Sequence, residues 1–312
     1  MAAPTPSASR SLSSLDLGAL LFLGAVWGAA FLFLRIVARE VGPVWAAEAR
    51  LVVGAAVLAV VFGRRTFTAA RGRWVPFLVT GALFSAVPFT LIAIATVTLP
   101  AGFTSLLNAA TPLFTALIGV AFLGHRLAPR VVVGLVVGIA AVVVLVGWSP
   151  LGLDVTTLLA VLAGLGAPAS YAVAGNYARA KLADVGPTEI ATGMLVAGSL
   201  VLLPVAILSG PPAAPALDGV VAILAVGIIS TAVAWPIFFR VLRHTTATAA
   251  STVTFIVPAF AIAWGALVLG EPIGPNLIAG SVLILVSLLL VLGIRVRLPS
   301  IVARRALGGA RA

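Results

Sequence analysis

Apolar residues run along this chain in blocks of about twenty, the length a helix needs to cross the hydrocarbon core of a bilayer. Short segments carrying charge, glycine or proline separate the blocks. Ten blocks are read, at 17–36, 44–62, 74–94, 101–123, 129–148, 155–178, 187–208, 217–239, 247–269 and 275–294. The separators are too short for a soluble domain, so successive helices are expected to form antiparallel hairpins. Arg10 precedes the first block as a basic residue precedes a secretory signal. Its apolar run is longer than the ~7–15 residues of a signal core, and no small-x-small site closes it before Arg35 and Arg39, so it reads as a retained helix.

Composition agrees with the bilayer reading. Of 312 residues, 62% are hydrophobic and 9% charged, where soluble domains run near one-quarter charged. The net charge of +11 would suggest nucleic acid in a polar protein, but its placement points elsewhere. Sixteen of the 19 basic residues fall at the N-terminus, in every second loop and in the tail 295–312, while Arg35 and Arg39 lie on the opposite side and Arg50 lies within the second block. The positive-inside rule then places both termini in the cytoplasm, and nucleic acid is not expected as a partner. The chain has no cysteine and two histidines, His125 and His244. Disulfides and thiolate sites are excluded, and no metal or cofactor is expected.

The chain also repeats itself. At an offset of 146, residues 101–147 align without gaps with 247–293, and eleven of 47 columns are identical, six of them Gly or Pro: Pro112/Pro258, Gly119/Gly265, Gly124/Gly270, Pro129/Pro275, Gly134/Gly280 and Gly147/Gly293. Upstream, Gly81, Ala86 and Val87 meet Gly227, Ala232 and Val233. At an offset of 144, Val41-Gly42-Pro43 meets Val185-Gly186-Pro187, Gly54 meets Gly198, and Trp27 meets Tyr171. Each unit therefore holds five helices. Five is odd, so the second copy crosses the membrane in the opposite sense. The paired turns carry charges suited to that, Arg126 and Arg130 in GHRLAPR (124–130) against Glu271 alone in GEPIGPN (270–276). The expected fold is an all-α polytopic membrane protein of ten transmembrane helices in two inverted five-helix repeats, 17–148 and 155–294, between an N-terminal tail 1–16 and a basic tail 295–312.

Several segments resemble the EamA family of the drug/metabolite transporter superfamily, over essentially residues 14–294. They are AVWGAAFLF (25–33), Arg50, STAVAW (230–235), and the paired runs SLLNAATPLF to LGHRL (105–127) and STVTFIVPAF to LGEPI (251–273). His125 stands where the family usually has an acid. The resemblance implies a basket in a bacterial inner membrane. In it the first four helices of each repeat surround a central cavity, the fifth and tenth lie outside, and small metabolites are exported or imported.

Acids are scarce within the blocks. Apart from Glu48 they fall in loops or, like Glu189 and Asp218, at block ends; Glu48 lies further in, about a turn from the end, where it reads as a residue snorkelling to the interface, and it and Arg50 are two apart and face different ways. Span one lacks the glutamate that the small multidrug exporters of the superfamily use for cation–proton exchange, which disfavours a cationic substrate. Arg50 is either a cavity group that attracts a carboxylate or a buried structural partner. Trp27 and Tyr171 would stand symmetrically beside a central cavity, or fill the bundle. Asn108 and Thr111 flank the bend at Pro112, and Ser251 and Thr254 precede Pro258. A proline frees a helix carbonyl, so both broken helices are candidate binding and hinge elements, unless the hydroxyls only satisfy their own backbone. Phe89, Ser230 and Trp235 are further cavity candidates. Gly24-x-x-x-Gly28 and Gly134-x-x-x-Gly138 permit close helix approach, either within the chain or at a homodimer seam.

These features lead to the expectation of a transporter, not an enzyme, working outward in the sense of an exporter, that moves small polar metabolites such as amino acids by alternating access. Two alternatives compete: a lipid-linked sugar flippase, and a polytopic lipid-modifying enzyme, which would need a base or metal cluster that neither histidine has beside it.

Overall fold

The computed structural model describes residues 13–123, 128–148, 154–244 and 253–293. Every element of it is helical. The first half comprises α1 (Ser14–Val41), α2 (Pro43–Ala70), α3 (Trp74–Thr98, with a π-helical insert at Ala82–Ala86), α4 (Ala101–Asn108 and Thr111–Leu123) and α5 (Pro129–Gly147). The second comprises α6 (Val155–Lys181), α7 (Pro187–Leu208), α8 (Leu217–Leu224, π-helical Ala225–Val233, Ala234–His244), α9 (Val253–Leu269) and α10 (Pro275–Leu292). Among the described residues, nine are long and apolar enough to span a membrane, and α9 is a shorter apolar helix of 17 residues. The chain is therefore a multi-pass membrane protein.

Local chemistry sets the ends. Ser13 and Asp16 form a capping box at the start of α1, satisfying amide donors that the first turn leaves orphaned. Asp154 Oδ1 accepts the Thr157 N–H at 2.7 Å and caps α6; this bond to its charged form holds the Asp154 carboxyl below the usual aspartate range. α2, α5, α7 and α10 each begin with proline, whose missing N–H is harmless at a first position. Gly42 turns the chain between α1 and α2 at a φ of +84°, which a side chain would disfavour.

Packing follows a pseudo-two-fold axis. α2 packs on α7, α5 on α10 and α4 on α9, each helix against its own repeat partner. α1 lies on α9 and α8, while α6 lies on the partners of those two, α4 and α3. The crossings obey the same rule. Gly81 of α3 meets Gly198 of α7 so closely that a Cβ would stand 2.6 Å from the Gly198 nitrogen, and the repeat-related Gly54 and Gly227 bring α2 onto α8. The two π-helical inserts also correspond, since 82–86 maps onto 228–232.

Both Gly-x-x-x-Gly motifs are used inside the chain. Gly24 and Gly28 face Ile256, Val257 and Phe260 of α9, and Gly134 and Gly138 face α10 and Leu113. Neither is left for a homodimer seam.

Candidate functional site

Odd-numbered helices start, and even-numbered helices end, at one face of the bundle, termed proximal; the other face is distal. Between the halves lies a cavity of about 1180 Å³. Its wall carries Trp27, Arg50, Phe89, Asn108, Thr111, Pro112, Tyr171, Trp235, Thr254 and Pro258. Nine of the ten are repeat pairs or neighbours in them: Trp27 with Tyr171, Phe89 with Trp235, Asn108 with Thr254, and Pro112 with Pro258. The cavity continues to the proximal ends of α5, α6 and α10, at Ala128, Val131, Asn176, Arg179, Val291 and Leu292. Distally it stops at buried Leu34, Ile92 and Ser105.

Two kinds of helix irregularity shape the wall. α4 breaks at Ala109–Ala110, where the Ala109 N–H still reaches the Ser105 carbonyl and a new helix starts at Thr111. Proline at 112 tolerates that start, and Thr111 Oγ1 closes the break by donating to the Asn108 carbonyl at 2.8 Å. The π-helical turn of α8 offers a second set of groups: Thr231 Oγ1 donates to the Val226 carbonyl five residues back, at 2.7 Å. π-helical turns commonly mark functional positions because the extra residue loosens the regular ladder.

Arg50 is the charged group of the wall between the repeat pairs, and Arg179 lies in the cavity's proximal reach. Arg50 Nε donates to Thr231 Oγ1 at 3.0 Å and its guanidinium carbon lies 3.8 Å from the centre of the Phe89 ring. No carboxylate pairs with it among the described residues, so the terminal nitrogens of the fork are the part left for a cavity occupant. The position related to Arg50 by the repeat is Met194, so this guanidinium has no counterpart in the other half.

Aromatic rings form the rest of the chamber. Trp27 stands 5.5 Å from Trp235 and 5.3 Å from Phe238, and Phe84 stands 5.4 Å from Tyr171 and 5.7 Å from Trp235, all in tilted or edge-on contacts, the geometry that ring quadrupoles favour. Trp27 Nε1 donates to the Ser230 carbonyl at 3.1 Å and Ser230 Oγ donates to the Val26 carbonyl at 2.9 Å. Ser230 is thus a correction: it is fully buried and orients Trp27 from behind the wall instead of lining it. Ser251 lies outside the described residues.

Glu48 is a second correction. It is 1% exposed, and Ser199 Oγ of α7 donates to its Oε1 at 2.5 Å, so it is a buried group between α2 and α7, not a snorkelling one. Sequence reading also missed Phe84, Phe238, Asn176 and Arg179, although the offset of 144 that pairs Trp27 with Tyr171 pairs Arg179 with Arg35. The fifth and tenth helices pack on each other outside the basket, but their proximal ends reach the cavity rim.

Ten helices in two repeated halves around a shared internal cavity define a polytopic membrane transporter. The model of the EamA-like transporter family matches residues 16–147 and 158–293, one match per half, and the chain belongs to that family. It is 23% identical over 263 residues to the uncharacterized transporter YoaV of Bacillus subtilis, covering 83% of this chain and 90% of that one. With the uncharacterized transporter YvbV of the same organism it shares 25% identity, over 87% and 90% of the two chains. An uncharacterized transporter of Archaeoglobus fulgidus is 24% identical over 85% of this chain and 94% of its own. A solved crystal structure has the same fold, with a TM-score of 0.65 at 19% identity over 95% of this chain and 100% of that one.

Proposed function

We propose that the protein moves a small organic metabolite bearing a carboxylate, an amino acid or a related anion, by alternating access around the central cavity. The observation that carries this reading is Arg50. A guanidinium held on a cavity wall by a hydroxyl and a ring face, with no acid paired to it among the described residues, offers its planar fork to an occupant of opposite charge. The surrounding rings suit an apolar body, and Asn108 Oδ1, buried and without a hydrogen-bond partner, suits a donor such as an ammonium or hydroxyl group. Helix breaks and π-helical turns at the wall supply the points at which the halves could bend, with Pro112 and Pro258 as hinges.

Orientation follows from charge. Basic residues crowd the proximal loops, so the proximal face is cytoplasmic, both termini lie on the cytoplasmic side of a bacterial inner membrane, and the cavity receives its cargo from the cytoplasm as an exporter's would. Proteoliposome uptake and counterflow against a panel of amino acids, other organic anions, neutral sugars and organic cations, with and without a pH gradient, tests the reading. Transport is expected for carboxylate-bearing solutes and to be lost in Trp27→Ala but kept in Trp148→Ala, whose side chain is 67% exposed. Transport of cations alone, or equal behaviour of the two tryptophan variants, overturns it.

A further inference from the structure

At the distal end an ion pair joins the halves. Arg35 Nε of α1 lies 3.0 Å from Glu271 Oε1, in the turn between α9 and α10, and both side chains are only 11% exposed. Each partner also holds a helix end. Both carboxylate oxygens of Glu271 accept the Ala101 N–H, at 3.1 and 3.0 Å, at the start of α4. Arg35 Nη1 donates to the Leu99 carbonyl and, at 3.2 Å, to the Thr96 carbonyl at the end of α3. The anion thus faces a helix N-terminus and the cation a C-terminus, the arrangement the helix dipole favours. Four segments from both halves converge on this one contact. Leu34, Leu99 and Ala101 around the pair are all buried, and the cavity stops short of it, at Leu34, Ile92 and Ser105.

Among the described residues the proximal end also has an ion pair between the halves, Arg73 Nη1 to Asp184 Oδ2 at 2.6 Å, but its side chains are 43% and 65% exposed and neither residue lines the cavity. The residue related to Arg35 by the repeat is Arg179, which lines the cavity's proximal reach and bonds its own helix, to the Gly175 carbonyl at 3.3 Å and Asn176 Oδ1 at 2.9 Å. The sequence position related to Glu271 is His125, not an acid. The buried pair at the distal end of the cavity therefore has no acid at its repeat-related position.

We infer that Arg35 and Glu271 form the distal gate of the transporter, an ion-pair latch that holds the cavity closed at that face and biases the resting protein toward the state reached from the proximal face. Opening the distal end separates α1 from the α9–α10 turn, and the pair must break. Because the position related to Glu271 is not an acid, closing the proximal end does not gain the repeat counterpart of this buried pair; an exposed pair such as Arg73–Asp184 contributes little, and the equilibrium is unequal. The inference rests on the alternating-access reading of the cavity, but not on the identity of the cargo.

The natural chain has no cysteine, so a single reporter suffices. Ser105→Cys, at the distal limit of the cavity, is labelled with a membrane-impermeant maleimide in vesicles of either orientation, without substrate. The reporter protein is expected to react from the proximal face and hardly from the distal face. Adding Glu271→Gln, which keeps an acceptor for the Ala101 N–H but removes the charge, is expected to raise the distal labelling rate at least tenfold. Arg35→Gln, which removes the other half and leaves the carboxylate on Ala101, gives the same answer and serves if the first variant fails to fold. Arg39→Gln is the control: Arg39 reaches only the Val97 carbonyl, and it should leave distal labelling unchanged. Distal labelling that stays low in either folded latch variant, or that rises equally in Arg39→Gln, overturns the latch. Failure of the uptake panel with distal labelling responding as described removes the proposed cargo and leaves the latch standing.

Discussion

Replacing Arg50 by methionine separates a binding role from a structural one, because the two predict opposite effects on stability. The guanidinium is 6% exposed and is held by a neutral hydroxyl and a ring face. Losing these removes a charge-assisted hydrogen bond, worth about 1.5–3 kcal/mol, and a cation–π contact, worth about 0.5–2 kcal/mol. Against this, the unpaired charge carries a desolvation cost of several kcal/mol, and replacing buried ionic groups by apolar side chains is often neutral or stabilising by about 1–4 kcal/mol. Thr231 keeps its bond to Val226 in either case. The melting temperature of Arg50→Met in detergent is therefore expected to equal or exceed that of the natural protein. Transport should move the other way. If the fork bonds a carboxylate, losing about 1.5–3 kcal/mol of charged hydrogen bonding weakens apparent affinity by about 10- to 150-fold at 1.4 kcal/mol per decade. Arg50→Lys keeps the charge without the planar fork and should fall between. A melting temperature several degrees lower in Arg50→Met, with transport per folded molecule unchanged, would refute the reasoning and make Arg50 a structural residue.

Two further outcomes follow from packing and from capping. Gly81→Val should destabilise the protein by about 1–3 kcal/mol, the usual cost of overpacking, since a Cβ at Gly81 meets the Gly198 backbone at 2.6 Å; Gly63→Ala, where the nearest atom is 3.7 Å away, should be tolerated, and equal melting temperatures would contradict the helix crossing. Asp154 is held below its ordinary value by capping Thr157, so its stabilisation is fully present above the ordinary aspartate value and is lost as pH falls through the lowered one. Thermal stability should therefore decline in acid from about pH 4 downward, and the decline should be shallower in Asp154→Ala; parallel acid profiles for the two proteins would remove the cap's contribution.

The spans were legible in the sequence because bilayer helices announce themselves by length and their loops by charge. The repeat was legible because glycine and proline occupy positions where packing admits little else: Gly54, Gly81, Gly198 and Gly227 are the crossings themselves. The wall residues Trp27, Tyr171, Phe89 and Trp235 could be found because two-fold symmetry places repeat partners around the axis. What stayed hidden depends on which neighbour covers a helix face. Glu48 sits one turn into α2, and its depth along the helix gave no sign that Ser199, 151 residues away, stands over it. Ser230 looks like a wall residue by spacing, but the π-helical turn rotates it behind Trp27. Arg35 and Glu271 were each visible as a loop charge; only the fold joins residues so far apart in the chain.

Everything proposed for the cavity and its gate depends on the two halves facing opposite ways in the membrane. Arg39 and Ala183 are exposed, related by the repeat, and lie at the distal and proximal faces respectively. Single cysteines placed at these two positions in the cysteine-free chain should react with an impermeant reagent from opposite sides, the Ala183→Cys protein from the cytoplasm and the Arg39→Cys protein from outside. Labelling of both from the same side would contradict the inverted repeat.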